Sequence, residues 1–260
     1  MSGKRVILIS GAAAGIGRCI AERFIELGDT VHVCDASADA VDKFLAANPA
    51  ASATVTDVSK PQEVDQLYAK LREQHGCLDV LVNNAGIAGP VGPVEKLDDA
   101  GWDDCLQVNL SGSFYMTKRA VPLLRISGQA TIINVSSTAG LMGCPNRSPY
   151  VATKWAQIGL TKTWAMELGP EGIRVNAVCP TSVDGPRIDR VIEGEAGERG
   201  LSDDEIRRVY ERQTSMRSFA TADEVADTVL FLASDQAKRI SGQALAVDGH
   251  TEGFLNWLDQ

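Results

Sequence analysis

The feature that most constrains this chain is the passage from Val6 to Gly17, VILISGAAAGIG. An unbroken run of branched apolar residues reads as a strand buried on both faces. Gly11, Gly15 and Gly17 then end the strand and open a helical pattern, Cys19 to Leu27. Positions without side chains let the backbone turn tightly and bring the first helical N–H groups close to an anion. A strand buried on both faces and followed by a helix belongs in a parallel sheet, because the helix has to cross back over it.

The same alternation continues down the chain. Strand-like runs fall at 5–10, 30–35, 53–57, 78–83, 130–136, 173–178 and 243–247. Amphipathic stretches lie between them, at Pro61–His75, Trp102–Leu124, Tyr150–Leu168 and Asp223–Ala233 among others. The order predicts an α/β fold: one Rossmann-type, doubly wound parallel sheet of about seven strands with helices on both faces. No linker divides residues 1–260, so one domain is expected. Ligands in such sheets bind at the carboxyl ends of the strands. Only 181–217 breaks the rhythm, being polar and charged with helical patterns near 187–194 and 202–213. Ser202 ahead of Asp203, Asp204 and Glu205 reads as a helix N-cap with an acidic first turn. A long insertion at the ligand edge reads as a lid or a disordered loop.

Charge and composition exclude several classes. A net charge of −9 argues against nucleic acid as partner. No stretch approaches the roughly 20 apolar residues of a membrane span, and the apolar run after Arg5 is too short for a secretory signal. The six cysteines are scattered, with neither CxxC nor metal-ligand spacing. No metal is expected, and reduced thiols point to the cytoplasm.

Two further features point to chemistry. The second strand ends in Asp35, 18 residues beyond Gly17. An acid at that distance is placed to accept hydrogen bonds from a ribose and to repel a 2′-phosphate. Ala36 follows it and Ala14 sits in the glycine loop, so no cation offsets that repulsion and NAD is expected over NADP. The second feature is Tyr150-Val-Ala-Thr-Lys154. Residues i and i+4 share one helix face, and an ammonium beside a phenol favours the phenolate. Alone, such a pair is two residues on a helix. Here Ser136-Ser137 ends a strand 13 residues upstream of the tyrosine, and Asn83-Asn84-Ala85-Gly86 ends another.

With these motifs in order, the chain resembles the short-chain dehydrogenase/reductase family over about residues 4–249. The matching elements are SGAAAGIG, Asp57-Val58, NNAG at 83–86, Asn109, INVSS at 133–137, YVATK at 150–154 and RVNAVCP at 174–180. The resemblance implies hydride transfer between a secondary alcohol or ketone and a nicotinamide cofactor. Tyr150 would be the acid/base, and Lys154 would lower its pKa and hold the nicotinamide ribose. Ser137 would orient the substrate oxygen, and Asn109 would hold a water in a proton relay. Gly11, Ala14, Gly15, Ile16, Gly17, Asp35, Asp57, Val58, Asn83, Ala85, Gly86, Pro180 and Val183 would line the cofactor. A homotetramer is implied as well. Two departures stand out: Thr181 follows Pro180 where the family has Gly, and Gly185 stands where it often has Thr.

The substrate is the least legible part. A small polar alcohol, sugar, polyol or hydroxy acid is the leading expectation, with a steroid or aryl ketone as the alternative. Arg147 and Arg187 are candidate partners for an anionic group, since guanidinium suits carboxylates. The competing reading has the arginines of this region paired with its own acids. A non-catalytic NAD-binding regulator is the alternative from another class. The tail carries Phe254, Leu255, Trp257 and Leu258, more apolar residues than a free terminus needs.

Overall fold

The computed structural model describes residues 4–251 and Gly253, so the apolar tail positions named above lie outside the described residues. The seven strand-like runs form β1 (Val6–Ser10), β2 (Thr30–Asp35), β3 (Ser52–Val55), β4 (Val80–Asn83), β5 (Thr131–Val135), β6 (Arg174–Pro180) and β7 (Ala244–Val247). They make one sheet in the order β3-β2-β1-β4-β5-β6-β7, and every pairing is parallel. The order reverses between β1 and β4, which opens a crevice at their carboxyl ends.

Alternation along each strand builds two cores. Ile7, Ile9, Val31, Val33, Val80 and Val82 face one side, against Ile20, Phe24, Val225 and Val229. Leu8, Leu81, Ile132 and Val175 face the other, against Leu67, Met116, Leu124 and Trp164. Nine α-helices are described: α1 (Gly15–Glu26), α2 (Ala38–Ala47), α3 (Pro61–His75), α4 (Asp99–Leu106), α5 (Gly112–Ser127), α6 (Ser148–Leu168), α7 (Pro186–Arg199), α8 (Asp203–Arg212) and α9 (Ala222–Leu232).

Two helical features differ in detail from the expectation. Helix α1 starts a turn before Cys19, because the glycine loop itself supplies the first turn. Helix α2 follows β2, with Ser37 as its cap, and it buries Val41 and Phe44. The stretch Trp102–Leu124 is helical throughout, as expected, but not α-helical throughout. It divides into α4, a π-helical segment Gln107–Ser111, and α5. A π turn carries one residue more than an α turn and so re-aims the side chains around it.

The polar segment after β6 folds as α7 and α8. Ser202 caps α8 as expected, and Glu205 completes a capping box. The two helices bury Ile192, Ala196 and Ile206 against each other. No helix among the described residues is long and apolar enough to cross a membrane.

Candidate active site

The loop after β1 and the loop after β4 are knitted together at the crevice. Ser10 Oγ accepts the N–H groups of Asn84 and Ala85, each at 3.1 Å. Asn84 Nδ2 donates to the carbonyls of Ser10 and Gly11, at 3.1 and 2.7 Å. Gly11 has φ +61°, and a Cβ there would lie 2.7 Å from Ala85 Cα. A Cβ on Gly17 would lie 2.4 Å from the Gly11 carbonyl and 2.5 Å from Asn84 Nδ2. Both positions therefore need glycine for the close approach of two backbones.

Gly15 differs, since a Cβ there would meet nothing within 4 Å. It faces open space at the start of α1, where Ala14 supplies no side-chain cap. The first-turn N–H groups of Gly15, Ile16 and Gly17, with the positive end of the helix dipole, thus suit an anion such as a pyrophosphate. Asp35 lies beside this cradle, with Oδ2 accepting from Ala13 N at 3.2 Å and Oδ1 from Ser37 N at 3.1 Å. Neither of these partners is cationic. A dinucleotide fits these residues.

Other sequence-predicted cofactor residues are placed less directly. Asp57 Oδ1 accepts from Ser59 N, and Val58 is buried against Gly112. The Asn83 side chain turns into the interior, where Nδ2 donates to Thr117 Oγ1 and Asn134 Oδ1. Gly86 brings the β4 loop to the opposite wall: a Cβ there would lie 3.2 Å from Asn109 Oδ1 and 3.8 Å from Lys154 Nζ. Pro180 ends β6, and its carbonyl accepts from the hydroxyls of Ser137 and Thr138, each at 3.4 Å. Val183 bridges to Ala220 and packs on the core. Gly185 has φ +135°, a conformation that strains any β-carbon, so the missing Thr hydroxyl follows from the turn taken there.

The tyrosine and lysine sit as their spacing predicts. Lys154 Nζ lies 5.5 Å from the Tyr150 ring centroid, and Arg147 Cζ also lies 5.5 Å from it. Burial raises the Tyr150 phenol, but Lys154, Arg187, the Ser137 hydroxyl and Arg147 together more than offset it, so it ionises below the usual tyrosine range. Burial also depresses the Lys154 ammonium, with the Tyr150 interaction opposing that. The two serines separate cleanly: Ser136 Oγ donates to the Lys154 carbonyl, whereas the Ser137 hydroxyl interacts with Tyr150.

Asn109 sits in the π-helical segment, fully buried. Its side chain accepts from Ile87 N at 2.8 Å and donates to Ile87 O at 3.0 Å, tying the β4 loop to α4 and α5. Its own carbonyl accepts from Ser113 Oγ and Gln157 Nε2. Ser10, Asn84 and Gln157 were missed by sequence reasoning. Ser10 and Asn84 adjoin named motifs, and Gln157 is a polar residue three places after Lys154 on the inward helix face.

Two arginines of this region are seen paired with its acids. Arg207 pairs with Asp184 at 3.0 Å and Asp189 at 2.5 Å, and Arg199 pairs with Glu195 at 3.2 Å, as the competing reading expects. Arg147 and Arg187 form no ion pair with an acid among the described residues, and both act on Tyr150. Among the described residues no group of His, Cys, Asp and Glu could hold a metal, and all six cysteines are free thiols.

The family profile described as Enoyl-(Acyl carrier protein) reductase matches residues 11–251. The chain belongs to the short-chain dehydrogenase/reductase family. A 3beta-hydroxysteroid dehydrogenase of Mediterraneibacter gnavus is 35% identical, over 98% of this chain and 96% of its own length. A D-beta-hydroxybutyrate dehydrogenase of Rhizobium meliloti is 34% identical, over 94% of this chain and 97% of its own. The crystal structure of an actinorhodin polyketide ketoreductase variant with NADPH matches at TM-score 0.90 and 34% identity, over 95% of this chain and 96% of that one. This short-chain dehydrogenase/reductase is an oxidoreductase acting on CH–OH groups. It belongs among relatives that bind nicotinamide cofactors.

Proposed function

We propose that this enzyme interconverts a small polar secondary alcohol, of the hydroxy-acid kind, and its ketone, using NAD, with Tyr150 as general acid/base. The observation that carries the reading is the convergence of Ser137, Tyr150 and Lys154 at the sheet's carboxyl edge, with the phenol depressed below its usual range. The nicotinamide, when bound, supplies the hydride acceptor or donor. In oxidation, the Tyr150 phenolate takes the hydroxyl proton of the alcohol as the carbon releases hydride. In reduction, the Tyr150 phenol returns that proton to the ketone oxygen. Ser137 donates a hydrogen bond to the same oxygen, and the Lys154 ammonium stabilises the phenolate.

Asp35 supports NAD, because its carboxylate stands beside the glycine loop with no cation bonded to it. The NADPH in the ketoreductase relative makes this the part of the reading most open to test. Arg147 and Arg187 support an anionic substrate, since both reach Tyr150 without an acid of their own. The name of the Rhizobium relative, a hydroxybutyrate enzyme, is in keeping with that. A steroid or aryl ketone is the second reading, favoured by the name of the Mediterraneibacter relative. Against it, Ile192 and Ile206 are spent on joining α7 to α8. We read residues 181–217 as the substrate lid. Trp102, Phe114 and Met166 are exposed on α4, α5 and α6, which supports burial of these helices between subunits of a homotetramer.

The test is the appearance of reduced nicotinamide absorbance with NAD or NADP and a panel of hydroxy acids, sugars, polyols, steroids and aryl alcohols. Turnover with NAD and hydroxy acids is expected. Preference for NADP, or turnover confined to apolar alcohols, overturns that part of the reading.

A further inference from the structure

Behind the site lies a buried polar chain. Gln157 follows Lys154 by three residues on α6, so both side chains leave the same helix face. Gln157 is 1% exposed and Lys154 4%. Lys154 Nζ donates to Val135 O at 2.8 Å and to Gln157 Oε1 at 3.1 Å. Gln157 Nε2 donates to the Asn109 carbonyl at 2.9 Å and to Ser113 Oγ at 3.2 Å. Ser113 Oγ in turn donates to the same Asn109 carbonyl at 3.0 Å.

The orientation of the Gln157 amide follows from its neighbours. An ammonium can only donate and a carbonyl can only accept, so Oε1 must face Lys154 and Nε2 must face Asn109. Two of the three ammonium donors are then occupied, which leaves one for the side of Tyr150 and Gly86. Both lone pairs of the Asn109 carbonyl are filled by side chains of this chain, one from Gln157 and one from Ser113.

We propose that Gln157 is a positioning residue for the lysine of the Tyr150–Lys154 pair. It fixes where the ammonium points and fills, with a neutral amide, the gap between that ammonium and the Asn109 carbonyl. The inference rests on the acid/base reading of Tyr150.

The experiment is the pH profile of kcat/KM for alcohol oxidation in the wild type, Gln157→Met, Ser113→Ala and Tyr150→Phe. Gln157→Met removes an acceptor from the ammonium, weakens its hold on the phenolate and lets the Tyr150 pKa rise. The acid limb should move up by about one unit, the scale of one charge-assisted hydrogen bond, and kcat below that limb should fall about tenfold. KM should change far less than kcat. Ser113→Ala loosens only the amide and should move the limb the same way by less. If Gln157→Met does not fold, as judged by near-ultraviolet circular dichroism, Ser113→Ala decides alone. Folded variants with the wild-type limb overturn the proposal, as does a fall in kcat with no shift of the limb. Full activity in Tyr150→Phe overturns the acid/base reading instead, so the two failures are distinguishable.

Discussion

On one face of the sheet, α1 and α9 press Ile20, Phe24, Val225 and Val229 onto Ile7, Ile9, Val33 and Val178. On the other, α6 turns Trp164 and Leu168 inward at its far end but Lys154, Gln157 and Thr161 at the end near the crevice. There Asn83, Thr117, Asn134, Thr161 and Gln157 are all buried and hydrogen-bonded. The difference separates two jobs. An apolar face gains stability in proportion to area and can be made from any well-fitting set of side chains. A buried polar seam gains little net stability, yet each member left without its partner costs about 1–3 kcal/mol. Such a seam is worth its cost where side chains have to be held at fixed angles, and it lies under the candidate catalytic residues.

The sharpest way to break that division is on the apolar face. Phe24→Ala should cost about 3–5 kcal/mol of stability, read by denaturant unfolding. The activity of each folded molecule should be unchanged, and a large loss of kcat at full folding would break the comparison.

Next is a buried polar group away from the crevice. His32 lies between Ser52 Oγ at 2.7 Å and Thr54 Oγ1 at 2.9 Å, and burial, with His75 and Lys70, lowers its pKa to about 4. Unfolded, it would titrate near 6.5. Between these values the unfolded chain binds more protons, so stability is full above about 6.5 and is lost as pH falls toward 4. The loss should be on the order of 3 kcal/mol. His32→Gln should flatten that pH slope, and an unchanged slope would assign it to other groups.

A smaller effect is expected at the glycine loop. Asp35→Ser should lower kcat/KM for NAD and raise it for NADP, each by about tenfold, through loss of a ribose acceptor and of a repelling charge. The smallest is Arg187→Ala, which should raise KM for a hydroxy acid about threefold to tenfold and leave KM for a neutral alcohol unchanged, while kcat near neutral pH falls for both because a cation that favours the Tyr150 phenolate is gone. An equal change of KM for both substrates would contradict a contact between Arg187 and the carboxylate.

Much of this was legible in the chain itself. The strands were readable because parallel strands buried on both faces are nearly continuous apolar runs, as in Val6–Ile9 and Val80–Val82. The Tyr150–Lys154 pair was readable because its geometry is local to one helix. The π turn within Trp102–Leu124 was not, since its Asn109 is bonded to Ile87, which only the fold brings near. The Gln157 bridge was not either: Lys154, Asn109 and Ser113 come together only when α5 and α6 pack. The pairing of Arg207 with Asp184 and Asp189 likewise depends on how α8 folds back, so composition alone could not separate it from Arg187.

The central claim is that Tyr150 is poised as an acid/base by the lysine beside it, and it can be read without a substrate. Ultraviolet titration of the tyrosines in the wild type and in Tyr150→Phe isolates that one phenol. Burial holds Tyr68 and Tyr210 above the ordinary range, so neither interferes on the acid side. The account predicts a phenol that ionises below the usual value of 10.0 in the wild type and is absent from Tyr150→Phe. A wild-type titration that matches that of Tyr150→Phe at every pH below that value would contradict it.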